Sequence, residues 1–249
     1  MSQKRYKLVL SSSKQNGGST KAFTIGIAGA SGCGKTYFAN SIKKKLESDG
    51  FTGVEILSCD NYYVSLPSGG DNSKFNWDAP EAIDLDLLAY HLKQLREGKT
   101  IDIPKYNFKT SQREGVERSL DGKNIKIIIL EGLFVLFNDK LRNEIDLKIF
   151  TLLDPDICLA RRLQRDVAER GKSYAQTIEQ YQLFVKPSYV NYIEPTKRFA
   201  DMIISTSEFT DTSKSIDMIG TYLEKQVTKG ENKNVQKRSS KKRTSKKNK

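Results

Sequence analysis

Residues Gly29–Thr36 read GASGCGKT, a complete match to the G-x-x-x-x-G-K-[ST] phosphate-binding loop. The residues before it, Phe23–Ala28 (FTIGIA), are apolar and β-prone; those after it, Tyr37–Leu46, carry apolar residues at helical spacing. A strand that feeds a glycine-rich turn and then a helix is the context this motif needs. Its glycines let backbone N–H groups turn inward around phosphate oxygens, and the helix N-terminus adds partial positive charge there. The whole loop (Gly29, Ala30, Ser31, Gly32, Cys33, Gly34, Lys35 and Thr36) is therefore expected to cradle a nucleotide triphosphate. Lys35 would reach its β/γ-phosphates and the Thr36 hydroxyl would ligate Mg²⁺. The triphosphate expected here is ATP.

Outward from the loop, strand-like and helix-like segments alternate. Val54–Ser58 (VEILS), Ile125–Leu130 (IKIIIL), Leu147–Leu152 and Met202–Ile204 read as strands. Asp84–Gly98, Asp156–Arg170 and Ala175–Ile193 read as helices, the first with Leu85, Leu88, Leu92 and Leu95 on one face. The predicted class is α/β: a P-loop NTPase fold with a parallel sheet covered on both faces and a helical lid. The predicted organisation is a flexible lead-in at 1–20, one P-loop domain at 21–228 and a basic tail at 229–249.

The 249 residues suffice for one substantial core. The net charge of +12 is concentrated: residues 229–249 hold ten Lys/Arg and one Glu, leaving about +3 for the remainder. That tail has a single apolar residue, Val235, and cannot repay the entropy of folding. It is a candidate nuclear-localisation or nucleic-acid segment, and equally a solvated extension. Three cysteines (Cys33, Cys59, Cys158) imply a reducing compartment without a disulfide framework. No apolar run reaches eighteen residues, and the N-terminal residues lack a signal-peptide core, so a cytoplasmic chain without a membrane segment is expected.

In open α/β sheets ligands bind at the C-terminal strand edge, and two carboxylates are expected there. Asp60 follows VEILS, and Glu131 directly follows IKIIIL. Phosphoryl transfer to a hydroxyl needs a proton acceptor and acidic groups for Mg²⁺; Asp60 suits the first role and Glu131 the second. Each carboxylate is also compatible with simple strand capping. A basic cluster follows in DICLARRLQRDVAERGK, with Arg162, Arg165 and Arg170 placed to clamp phosphate oxygens on a water-excluding lid. The alternative is a solvated helix face paired to Asp166 and Glu169.

These blocks resemble the uridine–cytidine kinase family, within the wider group that includes phosphoribulokinase. The likeness runs from Phe23 to Ile204 through GASGCGKT, LSCDNYY, FNWDAPEAID, IPKYNF, LEGLF, DPDICLARRLQRDVAERGK and QYQLFVKPSYVNYIEPTKRFADMII. It implies ATP-dependent phosphorylation of a nucleoside 5′-hydroxyl, uridine or cytidine first, by a homo-oligomer. Asp60 falls at the general-base position and Thr36 and Glu131 at the Mg²⁺ positions. Asp78 matches the acid that holds the ribose, and Tyr106 lines the base pocket with Tyr63, Trp77 and Phe108 beside it. Arg162, Arg165 and Arg170 fall at lid and phosphate positions, with Arg162 and Gln180 also substrate contacts. Four positions depart from the family pattern. Ser111 replaces the histidine that bonds the pyrimidine edge, Asn107 the aspartate of the Tyr-Asp-Phe motif, Ala79 the histidine before Pro80, and Lys172 a common arginine. Phosphate and ribose handling are thus preserved while base recognition diverges. Phosphorylation of another small alcohol, or a regulatory nucleotide-binding role joined to nucleic acid by the tail, are the competing readings.

Overall fold

The computed structural model describes residues 21–207 and 210–228. The expected lead-in at 1–20 and the basic tail at 229–249 lie outside the described residues. In chain order the strands are β1 (Phe23–Gly29), β2 (Val54–Ser58), β3 (Thr100–Asn107), β4 (Gln112–Asp121), β5 (Ile127–Glu131), β6 (Leu147–Leu152) and β7 (Met202–Ser205). The main helices are α1 (Lys35–Ser48), α2 (Leu85–Arg96), α3 (Asp139–Asn143), α4 (Pro155–Arg170) and α5 (Tyr174–Gln180), with residues 213–228 also helical. Five strands form a parallel sheet in the order β2-β5-β1-β6-β7.

The apolar run of β5 shows why this sheet is covered on both sides. Successive side chains on a strand point to opposite faces. Ile127 and Ile129 pack with Phe38, Ile42 and Leu46 of α1, and residues Ile219 and Leu223 complete that layer. Ile128 and Leu130 face the other way, against Leu88, Leu92 and Leu95 of α2. Every residue of β5 is buried, as a central parallel strand requires.

Helix ends follow their local signals. Asp84 caps α2 by accepting from the Leu87 N–H at 3.1 Å. Pro155 opens α4, and Gly171, at φ 68°, closes it in the left-handed conformation. The helix predicted over Ala175–Ile193 is present but irregular. After α5 it passes through π turns at Tyr181–Val185 and Tyr189–Ile193, and such turns recur at functional sites.

The hairpin β3–β4 was not anticipated from the sequence. β4 is exposed along most of its length, with Leu120 its one buried residue, so it lacks the apolar alternation that marks a strand. The register pairs Tyr106 with Arg113 and Asn107 with Gln112, which sets the hairpin turn beside the mouth of the sheet.

Candidate active site

The β5 register carries the first part of the site. Glu131 pairs with Ser58 of β2 on one side and Ile27 of β1 on the other, so the ends of three parallel strands meet where the phosphate loop begins. Within that loop Gly32 and Gly34 have φ of 82° and 88°, conformations costly to any residue with a Cβ. A Cβ on Gly32 would lie 2.3 Å from the Cys158 carbonyl oxygen, so only glycine lets α4 approach this closely. Ser31, Gly32, Gly34, Lys35 and Thr36 face a cleft of about 240 Å³. The other three members support the loop from behind. Ala30 O accepts from Lys35 Nζ at 2.8 Å, Cys33 Sγ lies 3.0 Å from Thr151 Oγ1, and Gly29 is the last residue of β1.

Glu131 is buried, with Oε2 accepting from Thr36 Oγ1 at 3.3 Å and Oε1 from Ser58 Oγ at 2.5 Å. Burial raises its pKa and the negative charge of Asp60 adds to this, against the opposing pull of Lys35 and the two hydroxyls. Such a carboxylate favours a nearby cation. Among the described residues no three His, Cys, Asp or Glu side chains form a complete cage. The pair Thr36 and Glu131 fits Mg²⁺, which takes oxygen donors and draws its remaining ligands from water and phosphate. Asp60 sits in the turn Cys59–Tyr62 just past β2, donates its N–H to Ser58 Oγ at 3.3 Å, and lines the same cleft.

The basic side of the cleft belongs to α4. The Arg162 guanidinium is only 5% exposed and grips Asp78 with two parallel bonds, Nη1–Oδ1 at 2.9 Å and Nη2–Oδ2 at 3.0 Å. Its Nη1 also donates to Ser31 Oγ at 3.0 Å, so one side chain joins the phosphate loop to Asp78. Behind it Asp166, fully buried, accepts from Arg165 at 2.7 and 2.9 Å and lies 3.5 Å from both Arg162 and Arg170. Burial pushes the Asp166 carboxyl up, but Arg165, Arg162 and Arg170 together hold it below the ordinary carboxylate range. The solvated-face alternative thus fails for Arg162, and the pairing with Asp166 is a buried anchor. Burial lowers the pKa of Arg170 and of Lys172, whose Nζ donates to Gln180 Oε1 at 2.6 Å. Gln180 stands behind the cleft wall and reaches it through Lys172, which does line it.

The far end is aromatic. Tyr63 stands 6.0 Å from Trp77, 5.2 Å from Tyr106 and 5.7 Å from Phe108 between ring centroids. Arg170 lies 4.1 Å over the Phe108 ring. Burial pushes the Tyr106 phenol up to about 12. Ser111, buried at the hairpin turn, and Asn72 close this end. Ser58, Asn72 and Asp166 were not assigned from the sequence. Only Asp166 carried a signal, its spacing of four residues from Arg162 and from Arg170 along one helix.

The cleft therefore joins the glycine-rich loop, two carboxylates, a cluster of arginines and an aromatic pocket. Known proteins are similar to this chain in sequence. The profile of the Phosphoribulokinase / Uridine kinase family matches residues 24–213. The chain is 42% identical to uridine-cytidine kinase A of Dictyostelium discoideum over 199 residues, covering 80% of this chain and 38% of that protein. It is 40% identical to the uridine kinase of Lactobacillus johnsonii over 207 residues, covering 82% of this chain and 95% of that protein. The chain thus spans less than half the length of the first and nearly all of the second. Among solved structures, phosphoribulokinase from Rhodobacter spheroides superposes with a TM-score of 0.56 at 18% identity, over 78% of this chain and 74% of that one, a likeness of fold. On the extent of these matches, the chain belongs to the phosphoribulokinase and uridine kinase family.

Proposed function

We propose that this protein transfers the γ-phosphoryl group of ATP to the 5′-hydroxyl of a pyrimidine nucleoside, giving the 5′-monophosphate. The observation that carries the reading is a single cleft with the phosphate loop at one end, an aromatic pocket at the other, and Asp60 on its wall. Phosphoryl transfer is largely a matter of positioning and charge stabilisation, and the residues divide along those lines.

Lys35 and the loop N–H groups hold the β/γ-phosphates. Thr36 and Glu131 are the donors for Mg²⁺, which when bound offsets phosphate charge. Asp78, aligned by Arg162, accepts hydrogen bonds from the ribose hydroxyls, and the aromatic walls take the flat base. Asp60 takes the proton of the attacking hydroxyl. Arg165 and Arg170 meet the charge on the moving phosphoryl group, while Lys172, steadied by Gln180, extends the same positive wall.

ADP release measured with uridine, cytidine and a panel of other small alcohols tests the proposal. Turnover with the two pyrimidine nucleosides, well above background ATPase, is expected. Turnover confined to another alcohol would replace the acceptor, and turnover with none would end the kinase reading. A cytoplasmic homo-oligomer and a nucleic-acid contact through residues 229–249 belong to the same proposal. Sedimentation and salt-dependent RNA binding by the full chain measure the assembly and the contact.

A further inference from the structure

The aromatic end of the cleft is closed by one amide held in one orientation. Asn72, in the loop between β2 and α2, lines the cleft. Its Oδ1 accepts from Trp77 Nε1 at 2.6 Å and from Ser111 Oγ at 3.2 Å. An indole N–H only donates, so the atom it meets must be the amide oxygen, and the two ends of the carboxamide are thereby assigned. The Nδ2 group keeps both of its N–H donors, and neither meets a protein acceptor among the described residues.

The support around this amide is specific. Ser111 is the one non-glycine residue with positive φ, 55°, among those described, and it is 5% exposed. Its carbonyl accepts from the Leu66 N–H at 2.9 Å, tying the loop that carries Asn72 to the hairpin turn. Backbone strain of this kind persists where surrounding structure over-determines it. The Ser111 hydroxyl donates to Asn72 and so helps to aim the amide.

We infer that Asn72 sets the base specificity of this site by donating from Nδ2 to the carbonyl oxygen at position 4 of uracil. Cytosine carries an amino donor at that position, so donor meets donor and both are left unpaired. The carbonyl at position 2 is common to the two bases and cannot separate them. The site is therefore selective for uridine over cytidine. This inference rests on the nucleoside reading given above.

The test compares kcat/KM of the full chain for uridine, cytidine and the pyrimidin-2-one ribonucleoside, which has no substituent at position 4. Uridine is expected to exceed both others by about tenfold or more, the scale of one mispaired polar contact. N72D keeps an acceptor for Trp77 and Ser111 but turns the donor edge into an acceptor. It should shift the uridine-to-cytidine ratio toward cytidine by about tenfold. Equal use of the three nucleosides by the wild-type chain, or an unchanged ratio in N72D, would overturn the role of Asn72 alone. Failure to phosphorylate any of them, with Mg·ATP still raising the melting temperature, would overturn the nucleoside reading itself. The wild-type comparison stands even if N72D does not fold.

Discussion

At the scale of single residues, charge placement separates chemistry from support. Asp60 lines the cleft at the end of β2, where an attacking hydroxyl would meet it. D60N should lower kcat by about 100-fold or more while ATP affinity stays near wild type, because the change removes proton acceptance and leaves the phosphate contacts of the loop in place. Single-turnover rates alongside equilibrium ATP binding check both halves, and near-normal turnover would remove Asp60 from the mechanism. Asp166 is a different case, since it does not itself line the cleft but anchors three arginines that do. D166A leaves those cations without their buried partner and should cost roughly 3 kcal/mol or more of stability. The sign with pH follows from its depressed pKa. The stabilisation is complete above the ordinary carboxylate value of about 3.9 and is lost as pH falls through the lower folded value. Urea denaturation between pH 7 and pH 3 should therefore show a steeper acid loss for wild type than for D166N.

At the scale of elements, two glycines in left-handed backbone isolate strain from contact. Gly171 ends α4 with nothing within 4 Å of where a Cβ would go. G171A should cost only the backbone term, about 1 kcal/mol, with an unchanged denaturant slope. Gly32 has similar φ but faces the Cys158 carbonyl, so G32A adds a clash that pushes α4 off the phosphate loop. It should lose more stability and weaken ATP binding as well, whereas G171A should leave ATP affinity nearly unchanged; calorimetric titration distinguishes them. The sheet strands and the principal helices were legible in the sequence because their apolar periodicity reports burial directly. The hairpin β3–β4 was not. Its second strand is solvated on both faces, so pairing with β3 defines it and no pattern in its own residues does.

For the molecule as a whole, stability and ligand binding are linked. A ligand that binds only the folded chain stabilises it by mass action, about 2.7 kcal/mol at 100 times its Kd. Mg·ATP at that excess should raise the melting temperature of the wild-type chain, and K35A should abolish most of the rise. Among the described residues no helix is long and apolar enough to cross a membrane.

How much of the site could be read in advance depended on chain distance. Gly29–Thr36, and the positions of Asp60 and Glu131 after their strands, are local facts, since a strand end presents its next residue to the ligand edge wherever the sheet lies. The arginine cluster was legible as a basic helix with two open readings, and resemblance added Asp78 and Tyr106. What required the tertiary structure were the pairings. Arg162 and Asp78 are 84 residues apart and Ser111 and Asn72 are 39 apart, and neither pair has a periodicity that would mark it. Burial also altered meanings that spacing had left open, turning the Arg162–Asp166 pair from a solvated contact into an anchor. Sequence by itself determined the phosphate loop, the parallel sheet and the two carboxylates at its edge, because each follows from residues adjacent in the chain. Only the folded molecule decided which groups keep their hydrogen-bonding capacity for a ligand, because that depends on which distant partner has already used it.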